Sequence, residues 1–277
     1  MIRYHCAFRP GHSLDYGLEA LDSGLDGIEI QSCRSYIPEE DYGEYISNVH
    51  TLLARGASLT IHAPIADINL GSTNRSMRQL SIDHILEAAK LASGLGASAV
   101  VVHAGMGVLT MPAGSWSAET FDDFYQAHQS ILDKVHGLVV DSLREIADTY
   151  PQVVFGLENL VYPHELYRFP QEMLDLVTKV ERPNVGLTLD IGHGATVGQC
   201  PVKFLNKVKN KLVHIHMHDN HGVWDEHLPL GQGAIDYPDF FAALACSGYK
   251  RAIAFEFSLP NPRDFRYMLP KIPTSSA

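Results

Sequence analysis

Ala99-Val100-Val101-Val102 is an unbroken apolar run that stops on His103, and its reading decides the fold. A strand this apolar has to be covered on both faces, which is the condition of strands in a parallel sheet flanked by helices. Eight segments of related character run along the chain, at residues 2–7, 27–31, 58–62, 98–103, 153–158, 185–190, 212–217 and 252–257. Between them lie stretches with helical periodicity. In 77–95, Leu80, His84, Ala88 and Leu91 recur at helical spacing and Gly94 and Gly96 close the element. A second runs over 121–149, stopped by Pro151, and a third over 238–247, with Pro238 near its first turn after Asp236. Strands alternating with helices predict βα units around a parallel sheet. Eight of them in 277 residues predict a single (β/α)8 barrel, a TIM barrel, spanning 1–277 as one domain. An open doubly wound sheet is the alternative, and it usually has fewer strands.

The ends of these strands carry a pattern. Thr60-Ile61-His62, Val101-Val102-His103, Gly156-Leu157-Glu158, Thr188-Leu189-Asp190, His214-Ile215-His216 and Ala254-Phe255-Glu256 close six consecutive strands on a residue able to bind a metal. In a parallel barrel these ends meet on the C-terminal face, where active sites of this fold are built. His193 follows Asp190 by three residues, and Asp225 and His227 lie in the loop after the seventh strand. Carboxylates at the ends of apolar strands are costly to desolvate unless paired or metal-bound, and basic partners are scarce here. Imidazoles and carboxylates around one pocket suit a divalent metal such as Zn²⁺, Mn²⁺ or Fe²⁺. His214, His216 and His218 alternate onto one face of their strand, so one or two of them are expected to reach the metal, with His216 and His218 as the choices.

The rest of the composition narrows the class. Net charge is −11, which argues against a broad nucleic-acid-binding face. No apolar run approaches the ~20 residues needed to span a bilayer, and residues 1–6 enter a strand-like segment with no secretory h-region, so a cytoplasmic protein is expected. Cys6, Cys33, Cys200 and Cys246 are dispersed without a C-x-x-C pair and are expected to be free thiols. Gly192 to Gly198 follows a strand but lacks the spacing of a dinucleotide loop.

Several stretches resemble the xylose-isomerase-like barrel superfamily, which holds sugar isomerases and epimerases together with the endonuclease IV group of abasic-site nucleases, AP endonuclease family 2. They are His62-Ala63-Pro64 with Asn69-Leu70, Val102-His103-Ala104-Gly105, Leu157-Glu158-Asn159, Asp190-Ile191-Gly192-His193, His216-Met217-His218-Asp219 and 225–233. The resemblance implies, for the epimerase branch, a metal held by Glu158, Asp190, His216 and Glu256, with Glu158 and Glu256 as acid and base. For the nuclease branch it implies a three-metal cluster using those four together with His62, His103, His193, Asp225 and His227. The chain departs from the nuclease pattern where Ile65 replaces a Tyr, where the spacing to Asn69 is one longer, and where His218 and His221 replace Asn and Lys. Those positions grip or distort DNA in that branch.

Two reactions follow as expectations. The first is isomerisation or epimerisation of a small sugar, keto-polyol or sugar phosphate by proton transfer, with a divalent metal, Zn or Mn, as cofactor. The second is phosphoester hydrolysis by a multi-zinc cluster, in which case nucleic acid becomes a partner; it ranks below a small carbohydrate-like substrate. One to three ions are expected, and their number separates the two reactions. A non-enzymatic binding protein is a third, weaker reading. Arg34, Tyr36 and Trp224 are candidate substrate-binding residues, and Trp116 and Phe257 are further candidate pocket walls.

Overall fold

The structure, a computed structural model, describes residues 1–32, 38–106 and 129–269. Within them eight parallel strands close into a barrel in sequence order: β1 (Arg3–Phe8), β2 (Gly27–Gln31), β3 (Ser58–His62), β4 (Val100–Val102), β5 (Phe155–Glu158), β6 (Val185–Asp190), β7 (Leu212–Met217) and β8 (Ala252–Phe255), with β8 pairing back to β1. Helices α1 (Leu14–Asp22), α2 (Glu39–Ala54), α3 (Arg75–Leu95), α4 (Gln129–Thr149), α5 (Pro170–Val180), α6 (Ile191–Thr196), α7 (Pro201–Val208) and α8 (Tyr237–Ser247) lie between the strands. This is the (β/α)8 barrel expected from the alternation.

Local chemistry sets the helix ends. Asn74 caps α3 by accepting from the backbone of Ser76 and Met77, and Gly96 ends it at φ 71°, a left-handed conformation that glycine adopts without strain. Asp236 caps α8 through the backbone N–H of Asp239, with Pro238 in the first turn. One expectation is corrected here. The buried stripe of α3 is Ser81, Ile82, Ile85, Ala88, Ala89 and Ala92, whereas Leu80 is 55% exposed. The small residues let the helix lie close to the barrel, and packing rather than side-chain size selects the face. The helix of 121–149 is described from Gln129 onward, the rest of that segment lying outside the described residues.

The strands alternate with a period of two. Cys6, Phe8, Ile28, Ile30, Leu59, Ile61, Val100, Val102, Phe155, Leu157, Leu187, Leu189, Ile215, Met217, Ile253 and Phe255 join the helices in one continuous hydrophobic core. The intervening residues point into the barrel and are small or polar. They form a lower layer that includes His5, Glu29, Thr60, Thr188 and His214, and an upper layer at the strand ends. Cross-barrel contact proves the inward direction: Glu29 on β2 reaches His214 on β7, five strands away in sequence order. Gly156 makes room for this packing, since a Cβ there would strike Thr188 on the neighbouring strand.

Candidate metal centre

The upper layer is where the strand-end residues converge. His62, Glu158, Asp190, His216 and Glu256 come from β3, β5, β6, β7 and the residue after β8, all 8% exposed or less. His103 follows β4 and is half-buried. Glu158 lies at the centre. Its carboxylate is 2.9 Å from His103 Nε2, 3.1 Å from His216 Nδ1, 3.3 Å from His62 Nε2 and 3.4 Å from His193 Nδ1. His216 Nδ1 is also 3.5 Å from Glu256 and 3.8 Å from Asp190. Glu158, Asp190, His216 and Glu256 thus offer one ligand atom each within 4.8 Å of one another, and His62, His103 and Glu158 form a second such group.

A third group lies beside them: His193, His218, Asp225 and His227. The first turn of α6 delivers His193, whose backbone N–H donates to Asp190 Oδ1 at 2.7 Å. The loop after β7 delivers Asp225 and His227, and Asp219 anchors it by accepting from the backbone of Gly231 and Ile235. His227 has φ 50°, a sparsely populated conformation for a residue with a Cβ, as is common where a side chain is held for function.

The tautomers fit a cation. His62 Nδ1 donates to the carbonyl of Ala63, His193 Nδ1 to that of Asn159 and His227 Nδ1 to that of Glu256, at 2.8, 2.8 and 2.7 Å. Each ring is thereby left with its Nε2 facing a carboxylate oxygen. Two lone pairs cannot face each other at such range without a proton or a cation between them. Asp190 Oδ2, Asp225 Oδ1 and His218 Nε2 are buried with no hydrogen-bond partner, although His218 Nε2 lies 3.2 Å from Asp190 and 3.4 Å from Asp225. These donor sets fit one or more divalent ions of the Zn or Mn kind.

Charge sharing among the residues has the same cause. Burial works to raise the Glu158 carboxyl, but the imidazoles of His216 and His103 hold it well below the usual carboxylate range. Burial works to lower His216 and His193, but the surrounding carboxylates raise both well above 6.5. His227 is lifted to about 9 against burial, by its contact with Asp225 and by the charge of Glu256. A divalent ion competes with these protons.

Beneath the centre, Glu29 lies with its two oxygens 2.9 Å from His214 Nε2 and 2.9 Å from His216 Nε2. These are ion-pair contacts. The ring N–H directions fall outside hydrogen-bond geometry, so the Nε2 atoms and Glu29 Oε2 have no directed partner. Sequence reading missed Glu29, although a lone carboxylate between Ile28 and Ile30 is the signal it used at the strand ends. Asn159 stood in the Leu157-Glu158-Asn159 stretch without a role; its amide clamps the backbone N–H and C=O of Asp190 at 2.8 and 2.9 Å.

A cavity of about 420 Å³ opens onto the centre, lined among others by Arg9, Gln31, His62, Ile65, His103, Glu158, Tyr162, His193, Asp225, His227 and Glu256. Trp224 is not among its walls: it is 68% exposed on the loop after β7, because the anchored ends of that loop turn inward and its tip outward. Phe257 belongs to the core, packed against Phe255 and Phe265. Arg34, Tyr36 and Trp116 lie outside the described residues.

Residues 18–269 match the xylose isomerase-like TIM barrel family, and the chain belongs to that family. Uncharacterized protein MJ1311 of Methanocaldococcus jannaschii is 32% identical over 202 residues, 72% of this chain and 64% of that protein. The 2-oxo-tetronate isomerase of Pectobacterium atrosepticum is 27% identical over 129 residues, 45% of this chain and 47% of its own. The chain therefore spans less than two thirds of either relative. A solved D-tagatose 3-epimerase-like protein superposes with a TM-score of 0.74 at 28% identity, covering 96% of both chains. Among the described residues no helix is long and apolar enough to cross a membrane.

Proposed function

We propose that the protein is a divalent-metal-dependent isomerase or epimerase of a small sugar, keto-polyol or sugar phosphate, acting by proton transfer at carbon. One observation carries this reading. Of the four grouped residues Glu158, Asp190, His216 and Glu256, the two glutamates also line the cavity, whereas Asp190 and His216 are buried beneath. A divalent ion held by the four would polarise a substrate carbonyl and its neighbouring hydroxyl, acidifying the adjacent C–H. Glu158 and Glu256 reach the cavity from β5 and from the end of β8, so they meet a bound substrate from different sides. One takes the proton from carbon and the other returns it, to the neighbouring carbon or to the opposite face. His103, 2.9 Å from Glu158, can pass that proton onward. The volume suits a small polar substrate.

The test is exchange in D₂O with Mn²⁺ supplied, over a panel of ketoses, inososes and keto acids. Deuterium entering beside a carbonyl, and lost in Glu158→Gln and Glu256→Gln, is the expected result. No deuterium entering any member refutes it.

Phosphoester hydrolysis is the second reading, supported by the other two ligand groups, one of which shares Glu158. Adjacent ions of this kind stabilise attacking and leaving oxygens in in-line displacement. Against it stands His218, a fourth protein donor beside His193, Asp225 and His227 that would fill the position a tetrahedral ion needs open. About three zinc ions per chain with cleavage of an abasic duplex would favour this reading over the first.

A further inference from the structure

The upper layer of the barrel has members from β1 and β2 that are not metal ligands. On β1 the inward residues are His5 and Ala7, paired with Gly27 and Glu29. The next inward position is Arg9, one step beyond the Phe8–Ile30 pair and level with Gln31, which pairs with His62. Arg9 and Gln31 both line the cavity, and Arg9 is the one Lys or Arg that does so among the described residues.

The guanidinium is incompletely used. Nη2 donates to the backbone carbonyl of Glu256 at 3.3 Å, while Nε is buried with no partner. No carboxylate oxygen lies within 4.0 Å of it among the described residues. Glu165, the other charged wall residue away from the ligand groups, has a carboxylate oxygen taken up by the backbone N–H groups of Val161 and Tyr162. Divalent ions held by these groups would offset the carboxylates of Glu158, Asp190, Asp225 and Glu256, and none of those carboxylates is paired with Arg9 at the cavity wall. A half-buried, unopposed guanidinium with free donors is a site for a planar or tetrahedral anion.

We propose that Arg9 binds an anionic group of the substrate, so that the isomerase or epimerase proposed above acts on a sugar acid or a sugar phosphate rather than on a neutral sugar. The inference rests on that reading of the site, but its test does not need turnover.

Calorimetric titration of the Mn²⁺-loaded protein with inorganic phosphate, D-glycerate and neutral erythrulose tests it. Arg9→Gln is expected to weaken one of the two anions by about 10- to 100-fold, with Arg9→Lys weakening it less, and to leave erythrulose binding and metal content unchanged. Loss confined to phosphate identifies a phosphate ester, and loss confined to glycerate identifies an acid. Equal anion binding by wild type and Arg9→Gln overturns the proposal, as does an equal loss for erythrulose or a wild type that binds neither anion. If Arg9→Gln does not fold, anion affinity in Arg9→Lys equal to that of wild type overturns it. A protein that exchanges no deuterium yet shows the Arg9-dependent loss would sink the isomerase reading and keep the anion site.

Discussion

Replacing Glu29 by glutamine removes the buried charge beneath the metal centre while keeping its volume. Glu29 is 3% exposed and 2.9 Å from both His214 Nε2 and His216 Nε2. At that separation and an effective dielectric of about 20, one ion pair has a gross attraction of ~6 kcal/mol. Desolvation of the carboxylate, larger than that of a neutral amide, offsets most of it. What remains is the orienting effect. The charge of Glu29 favours a proton on Nε2 of His216, which leaves Nδ1 to face Glu158, Asp190 and Glu256. Outer partners of this kind contribute about 10- to 100-fold in metal affinity, or ~1.4–2.7 kcal/mol. Glutamine leaves the two buried Nε2 groups with no carboxylate opposite them, so the metal-stripped variant also loses about 1–3 kcal/mol of stability. Competition against a chromophoric chelator measures the first quantity, and denaturant melts of chelator-treated protein measure the second. A folded Glu29→Gln variant with wild-type affinity for Zn²⁺ and Mn²⁺ would refute the reasoning.

Three further outcomes are expected. His218→Asn should weaken the ion held with His193, Asp225 and His227, which keeps three donors, and leave the affinity at Glu158, Asp190, His216 and Glu256 unchanged; metal titration with both affinities reduced, or neither, contradicts this. In Gly192→Ala the new Cβ collides with the His218 ring, so the variant should melt earlier and bind less metal, and an unchanged melt counts against the packing described. The pH response follows from His227, raised from 6.5 to about 9. Its contacts stabilise the stripped protein fully below about 6.5 and are lost as pH rises through 9, while metal binding, which displaces those protons, strengthens over the same interval. The melting-temperature gap between loaded and stripped protein should therefore widen from pH 6.5 to 9, and a constant gap would show that His227 is not involved.

Much of the barrel was legible because burial on the outer face of each strand demands apolar residues, as in Ala99 to Val102, and the chain shows it eight times. The strand-end residues were legible for a related reason: in a parallel barrel, position at a strand end fixes position in space. Glu29 and Arg9 needed the register. Their inward direction follows from pairing with Thr60 and from the step past Phe8, which no single segment reveals. The role of His218 depends on which loop residues meet it, and the exposure of Trp224 needed the course of its loop, which is set by anchors such as Asp219.

The central claim is a divalent ion held at the C-terminal face of this barrel. An anomalous-difference map from a crystal grown with Mn²⁺ tests it most directly. The account predicts a peak within coordination distance of Glu158, Asp190, His216 and Glu256. A map with no peak among those four residues would contradict it.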